Sequence, residues 1–197
     1  MTTLAEQPHL AGELPDGKLI EAIAWGGDVK AFELLMTRHQ RPVFGFIRRQ
    51  VNDRTEAEDL FQQTLLRIFD RIETCKDPGA FRAWAIGIAA NICRYERRKS
   101  MSRIKEAPSS ALEDRPGWSP TPEANALSSQ VRDRIAQALA ELPQPQREVF
   151  VLYHYTQLSY DEIAAVVAAP IGTVKSRMNG ALTKLRTLLA SLEETQP

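Results

Sequence analysis

The sequence predicts an all-α protein made of two small helical domains that are joined by a flexible linker. Three observations favour this fold class. Apolar residues recur at steps of three and four on both sides of a central segment rich in proline and serine, which is the spacing of amphipathic helices. No sustained period-two alternation and no hairpin signal lies between apolar runs, so strands are not expected. The central segment carries four prolines between residues 105 and 127 and cannot continue a helix.

The domain boundaries are predicted from that break in composition. We expect an N-terminal tail at 1–13, a first domain at 14–103, a linker at 104–127 and a second domain at 128–197. Each domain has enough apolar positions for a small helical core, although the second one is short for independent stability.

Three helices are predicted in the first domain. The first runs through apolar positions from Phe32 to Ile47, with Pro42 as a kink. The second begins with a capping-box pattern of Thr55 and Glu58 and continues as one apolar stripe. The third is expected over about residues 80–99, and its buried side is predicted to carry these residues: Phe81, Trp84, Ala85, Ile88 and Ile92.

The second domain ends in a predicted helix-turn-helix. Helices are expected up to Pro143 and again from Pro145, and Ser159 with Glu162 forms another capping box. A short helix from Tyr160, a turn over 168–172 and a second helix from Thr173 have the dimensions of this motif, whose second helix enters the major groove. That helix presents donors and amides suited to phosphates and purine edges: Lys175, Ser176, Arg177 and Asn179. A solvated helix in an ordinary bundle stays open as the alternative.

A basic patch closes the first domain. Residues 91–105 contain six basic side chains and one acidic one, which leaves a local charge of +5. Asn91, Arg94 and Arg98 share one helix face, which we expect to lie opposite Trp84 and Ile88. Cations at a helix C-terminus also complement the helix dipole, but that effect does not require six charges, so an anionic partner is favoured.

The second helix has an outward face of a different kind. It is neutral to acidic and includes an outward leucine, and its members are Asp59, Gln62, Gln63 and Leu66. Such a face suits DNA poorly, and on periodicity alone it either binds protein or is simply solvated.

Composition excludes several classes. The 197 residues carry 25 Lys+Arg and 25 Asp+Glu, so the net charge of zero argues against a general nucleic-acid coat protein. Two cysteines, Cys75 and Cys93, are too few for a disulfide framework or a four-ligand zinc site. The chain shows no catalytic motif, no metal or cofactor signature, no secretion signal and no membrane-length apolar run. A cytoplasmic protein that is not an enzyme and has no cofactor is expected.

Three stretches match a known family: TEAEDLFQQTLLRIFDRI (55–72), FRAWAIGIAANICRYERRKS (81–100) and LPQPQREVFVLYHYTQLSYDEIAAVVAAPIGTVKSRMNGALTKLRTLL (142–189). On these residues the chain resembles bacterial RNA polymerase sigma factors of the extracytoplasmic-function (ECF) group, the fourth group of the sigma-70 family. The resemblance implies a region 2 bundle at 14–103 and a region 4 helix-turn-helix at 128–197. It also implies a role in promoter recognition, promoter melting and transcription initiation, with three partners: core RNA polymerase, promoter DNA and an anti-sigma factor.

Site residues follow from the resemblance position by position. Core polymerase would bind the face made of Asp59, Gln62, Gln63 and Leu66. The minus-ten element would be read by the loop at 73–79, which pockets a flipped base, and by the third helix. The loop would contribute Thr74 and Lys76, and the helix would contribute Asn91, Arg94, Arg97 and Arg98. The minus-thirty-five element would be read through Thr173, Lys175, Ser176, Arg177 and Asn179. Two departures stand out: Tyr95 replaces a frequent aspartate, and Gly180 with Leu182 replaces a frequent basic pair.

Two other functions remain possible from the residues. One is a stand-alone helix-turn-helix regulator whose N-terminal domain senses a ligand or dimerises. The other is a helical adaptor that never touches DNA. Transcription in vitro with core polymerase separates all three, because only a sigma factor gives start-specific transcripts.

Overall fold

The computed structural model describes residues 14–51, 53–106 and 134–193. The first domain contains α1 (Asp16–Gly26), α2 (Val29–Arg48), α3 (Arg54–Arg71), 3-10 turns at Ile72–Thr74 and Pro78–Ala80, and α4 (Phe81–Glu106). The second contains α5 (134–140), α6 (Gln144–Thr156), α7 (Tyr160–Val167) and α8 (Ile171–Glu193). No strand occurs in these ranges, which confirms the all-α prediction. The predicted tail and linker residues 107–127, with Trp118, lie outside the described residues.

Helix α1 was not among the predicted elements, and it is fixed to α2 by polar contacts. The Asp16 carboxylate accepts hydrogen bonds from Arg38 Nη1 and lies 2.6 Å from His39 Nε2. Burial raises the pKa of Asp16, but these hydrogen bonds and charges outweigh it, and the net pKa is lowered. His39 also packs edge-on against Phe81. It is therefore a structural histidine.

The N-terminus of α3 differs from the prediction. Asp53 caps the helix, because its carboxylate accepts from the Glu56 N–H at 2.7 Å. Thr55 lies inside the first turn, so the predicted capping box of Thr55 and Glu58 is wrong. The apolar stripe is confirmed: Phe61 and Leu65 are half-buried against the core, and the other predicted members are buried, namely Ala57, Leu60, Thr64, Ile68 and Ile72.

The buried side of α4 is wider than predicted. Phe81 and Ala85 are buried, whereas Trp84, Ile88 and Ile92 are only half-buried. The remaining buried positions are Ile86, Ala89, Ala90 and Cys93. The physical reason is that α4 packs against α2 and α3 on one side and against α7 of the second domain on the other. The helix also continues to Glu106, past the predicted end at residue 99.

In the second domain, α5, α6 and α8 share a small apolar cluster that includes Leu139, Leu142 and Leu185. The predicted capping box at α7 is confirmed: Glu162 N–H donates to Ser159 Oγ, and Ser159 N–H donates to Glu162 Oε2. Helix α7 ends at Val167, and its C-cap Ala168 has a φ of 49°. Helix α8 begins at Ile171, two residues before the predicted Thr173.

The two domains share a continuous core. Helix α2 packs against α6, and α4 packs against α7. A Cβ placed on Gly87 of α4 would lie 3.8 Å from a methyl of Val166 in α7. Arg49 of α2 lies over the ring of Tyr155 in α6, 3.7 Å from its centroid. The chain is thus closed on itself, with the second domain against the first.

Candidate nucleic-acid interface

The outward face of α8 is available to a ligand. Lys175, Ser176 and Asn179 are exposed, while Val174 and Met178 anchor the opposite side in the core. Thr173 and Arg177, also in the predicted set, are half-buried at the edge of this face. Within the described part of the chain, neither Lys175 nor Arg177 makes an ion pair. Both cations therefore remain free for phosphate oxygens.

The departures from the family pattern on α8 have a packing role. A Cβ at Gly180 would lie 2.7 Å from Gln146 Nε2 of α6, so the glycine accommodates that amide. Leu182 is half-buried and packs against the main core. Both positions thus serve the attachment of α8 to its own domain.

The basic end of α4 is engaged with the second domain. Arg94 Nη1 donates to Glu148 Oε1 of α6 at 2.6 Å, and Arg94 Nη2 donates to the Val166 carbonyl of α7 at 3.0 Å. Arg94 Nη2 also lies 2.6 Å from Asn91 Oδ1. The Glu148 side chain is 7% exposed and that of Arg94 is 22% exposed. One arginine therefore joins three helices.

Positive charge exceeds negative charge at this contact, which we call the interdomain junction: Arg94, Arg97, Arg147 and Glu148. Burial lowers the pKa of Arg97, although Glu148 raises it. Burial, together with Arg97, lowers the pKa of Arg147. Of the three guanidinium groups, that of Arg94 is paired with the Glu148 carboxylate, and Arg147 Nε is buried without a hydrogen-bond partner. Such a junction closes the chain but leaves cations that another anion can satisfy.

The predicted minus-ten residues fall into two groups. Asn91 and Arg98 are exposed on α4, and Arg94 and Arg97 are half-buried at the interdomain junction. Thr74 and Lys76 are exposed in the segment before α4. Thr74 and Lys76 border a cleft with α1, whereas Asn91 lines a groove between α3 and α4, so the structure places these residues in different clefts.

The predicted face of α4 needs one correction. Asn91 does not lie opposite Ile88, because both line a groove between α3 and α4 with a volume of about 710 Å³. Gln63 and Leu66 of the α3 face and Tyr95 border the same groove. Leu66 is 67% exposed and Tyr95 is 58% exposed. Asp59 and Gln62 are also exposed, so the whole predicted α3 face is open to a partner.

Sequence reasoning missed Glu148. The available signal was a glutamate at a core position of α6, next to Val149 and one turn before Leu152. Its partner Arg94 lies 54 residues away in the sequence, so no local pattern could reveal the pair.

Both cysteine thiols are buried. Burial, with Asp77, raises the pKa of Cys75, and burial raises the pKa of Cys93 to about 12. The described residues hold no group of side chains fit for a metal ion. Among the helices that the structure describes, none has the length and apolar character of a membrane span.

Comparison with known proteins gives a family match in each domain. The family model for sigma-70 region 2 matches residues 35–103, and that for sigma-70 region 4 matches residues 132–185. The ECF RNA polymerase sigma factor EcfG of Rhodopseudomonas palustris is 34% identical over 136 residues, which cover 68% of this chain and 71% of that protein. The chain belongs to the ECF sigma factors. RNA polymerase sigma-H factor of Pseudomonas aeruginosa is 29% identical to this ECF sigma factor over 170 residues. The match covers 83% of this chain and 88% of the Pseudomonas protein.

Two solved structures resemble the ECF sigma factor over most of its length. CnrH in complex with the cytosolic domain of CnrY has a TM-score of 0.67 at 25% identity, over 90% of this chain and 99% of that one. The sigma factor RpoE of Bartonella quintana, in complex with the anti-sigma factor NepR, has a TM-score of 0.71 at 25% identity. The match covers 82% of this chain and 98% of that one.

The predicted function is therefore confirmed: this protein is a sigma factor that works with core RNA polymerase and directs promoter-specific transcription initiation. The stand-alone regulator is not favoured. Sigma factors are typically regulators of transcription and not enzymes.

Proposed function

We propose that three surfaces of this ECF sigma factor divide the work of initiation. The α3 face (Asp59, Gln62, Gln63 and Leu66) binds core polymerase. The α4 residues Asn91, Arg94, Arg97 and Arg98, with Thr74 and Lys76, read the minus-ten element. The outward residues of α8 read the minus-thirty-five element. Region 2 is assigned to 14–103, the linker to 104–127 and region 4 to 128–197.

The observation that carries the assignment of α8 is the free, outward Lys175 at the start of the second helix of a helix-turn-helix. Ser176 and Asn179 lie on the same exposed face. The N-terminal residues of such a helix reach base edges, while flanking cations contact phosphates. The first turns of α8 therefore combine positioning contacts with base contacts in a duplex.

The minus-ten surface requires an additional step. Arg94 is held by Glu148 and by the Val166 carbonyl, so the closed chain covers a residue that must reach the melted strand. The excess guanidinium groups of the interdomain junction favour release when a phosphate replaces Glu148. We infer that binding to core polymerase holds the two domains apart, and that promoter DNA then occupies the arginines.

Regulation by an anti-sigma factor is also proposed. RpoE of Bartonella quintana, 25% identical to this chain, is seen with the anti-sigma factor NepR. The groove between α3 and α4, with exposed Leu66 and Tyr95, offers an apolar surface for such a protein. A factor bound there would cover Gln63 and compete with polymerase. The protein acts in the cytoplasm, where bacterial transcription takes place, and needs neither a cofactor nor catalysis of its own.

Site-specific photocrosslinking tests these assignments. A photoreactive amino acid placed at Gln63, Arg98 or Ser176 is assembled with core polymerase on a promoter mapped from transcript starts. We expect Gln63 to crosslink to the largest polymerase subunit, Arg98 to the non-template strand near minus ten and Ser176 to the duplex near minus thirty-five. The exposed Glu33 of α2 is the control position and should give none of these products. The assignment would be overturned if the photoreactive residue at Gln63 crosslinked to DNA and the one at Ser176 crosslinked to the polymerase subunit.

A further inference from the structure

Trp25 is an unusual surface residue. It lies in the last turn of α1 and is 90% exposed, whereas Leu19, Ile20 and Ile23 of the same helix are buried on the other side. Within the described residues it makes no ring contact and no cation-π contact. An exposed indole presents a large apolar face that a partner can cover.

The indole borders a cleft of about 380 Å³ between α1 and the segment that precedes α4. Its walls are Ile20, Glu21, Ala24 and Trp25 on one side and residues 72–76 on the other. Helix α1 ends immediately after the indole at Gly27, whose φ is 60°. Open space surrounds Gly26 and Gly27, where an added Cβ would meet no atom within 4 Å. A flat ligand can therefore approach the indole from the open end of the helix.

Polar groups in the cleft match an unpaired nucleotide. Glu21 is paired with Lys18 at 2.8 Å, which leaves the Glu73 carboxylate and the Lys76 ammonium as the charged groups of the cleft without an ion pair among the described residues. Lys76 Nζ also donates to the Glu73 carbonyl at 3.3 Å, which holds the ammonium at the cleft. A lysine ammonium suits a backbone phosphate, and a carboxylate accepts from the exocyclic amino group of cytosine or adenine. An aromatic ring adds a stacking platform for any base. One cation balanced by one carboxylate is too little positive charge to track a duplex backbone.

We propose that Trp25 stacks on an unpaired base of the melted non-template strand beside the minus-ten element. Glu73 and Lys76 would orient the same nucleotide. The inference rests on the proposed minus-ten role of Thr74 and Lys76, which lie in the same cleft. It adds α1 as a second wall to the surface that holds open DNA, and it predicts a preference for a base with an exocyclic amino group.

The test uses the full chain with core polymerase on promoter DNA that carries a premelted bubble. Trp25→Ala should weaken binding to this DNA about tenfold, which is within the range for loss of one stacked base. Trp25→Phe should keep most of the affinity, because it retains a ring. Val29→Ala, which trims another exposed apolar side chain (57% exposed), is the matched control and should change nothing. Binding to core polymerase alone should stay at the wild-type level in all three variants.

An abasic scan locates the stacked base. Removal of one base should weaken wild-type binding about tenfold but should leave the already weakened Trp25→Ala complex unchanged, since the two changes delete the same contact. Equal affinity of Trp25→Ala and wild type for the bubble would overturn the inference. A matching loss in binding to core polymerase would assign Trp25 to a protein contact instead and would also overturn it. If the wild type gives no start-specific transcript, the proposed function itself fails.

Discussion

Replacement of Glu148 by glutamine should open the chain. The substitution keeps the shape of the side chain but removes the only carboxylate of the interdomain junction, so Arg94 loses its charged partner at 2.6 Å. A hydrogen bond to a charged group contributes about 1.5–3 kcal/mol, and this is the upper limit of the loss because the glutamine amide oxygen can still accept from Arg94. Since about 1.4 kcal/mol corresponds to a tenfold change, the ratio of open to closed chains should rise by up to about 150-fold.

The assay is binding of a labelled single-stranded minus-ten oligonucleotide, taken from the non-template strand of a mapped promoter, to the free sigma factor. Apparent affinity scales with the fraction of chains that are competent to bind, so Glu148→Gln should bind more tightly by up to the same factor. A gain in affinity cannot result from unfolding. Small-angle X-ray scattering should show a larger radius of gyration for the variant.

Glu58→Gln provides the matched control. It removes the carboxylate of another ion pair, with Arg54 at 2.8 Å, but those side chains are 51% and 74% exposed. Exposed pairs contribute little, so affinity and size should remain at wild-type values. If Glu148→Gln binds no more tightly than wild type, or if Glu58→Gln shows the same rise, the closed arrangement does not limit access to the minus-ten surface.

Three further predictions address the other surfaces. Asp59→Arg should weaken binding to core polymerase at least tenfold without changing duplex binding, while the control Glu33→Arg should change neither. Co-purification measures polymerase binding and gel shifts measure duplex binding, and loss of both activities in Asp59→Arg would indicate unfolding. Lys175→Ala combined with Arg177→Ala should lower affinity for minus-thirty-five duplex and reduce the slope against log salt by about two, and an unchanged slope would contradict phosphate contact. Cys93, with a pKa of about 12, should resist alkylation at pH 7.5 until urea is added, and rapid labelling of the folded chain would contradict its burial.

The parts of the fold that follow local rules were predictable. The stripe of α3 and the capping box at Ser159 depend on residues within a few positions of one another, and the structure has both. The cap of α3 was wrong because Asp53 with Glu56 competes with Thr55 and Glu58 for the same role. An acidic side chain two residues earlier, Asp53, takes the helix N-terminus.

The relation between the domains was not predictable. Apolar size alone underestimates the buried side of α4, because small residues such as Ala89 and Ala90 are buried where α4 has partners on two sides. Glu148 gave no local signal of its distant partner. The positions of Lys175 and Asn179 on an exposed face were predictable, because helical spacing alone sets them.

The most direct test of the central claim is run-off transcription with purified core polymerase and this sigma factor on a promoter mapped from transcript starts. We predict transcripts that begin at the mapped start only when the sigma factor is present, and that are lost when either promoter element is replaced. A chain that binds the promoter but adds no start-specific transcript to core polymerase would contradict the assignment.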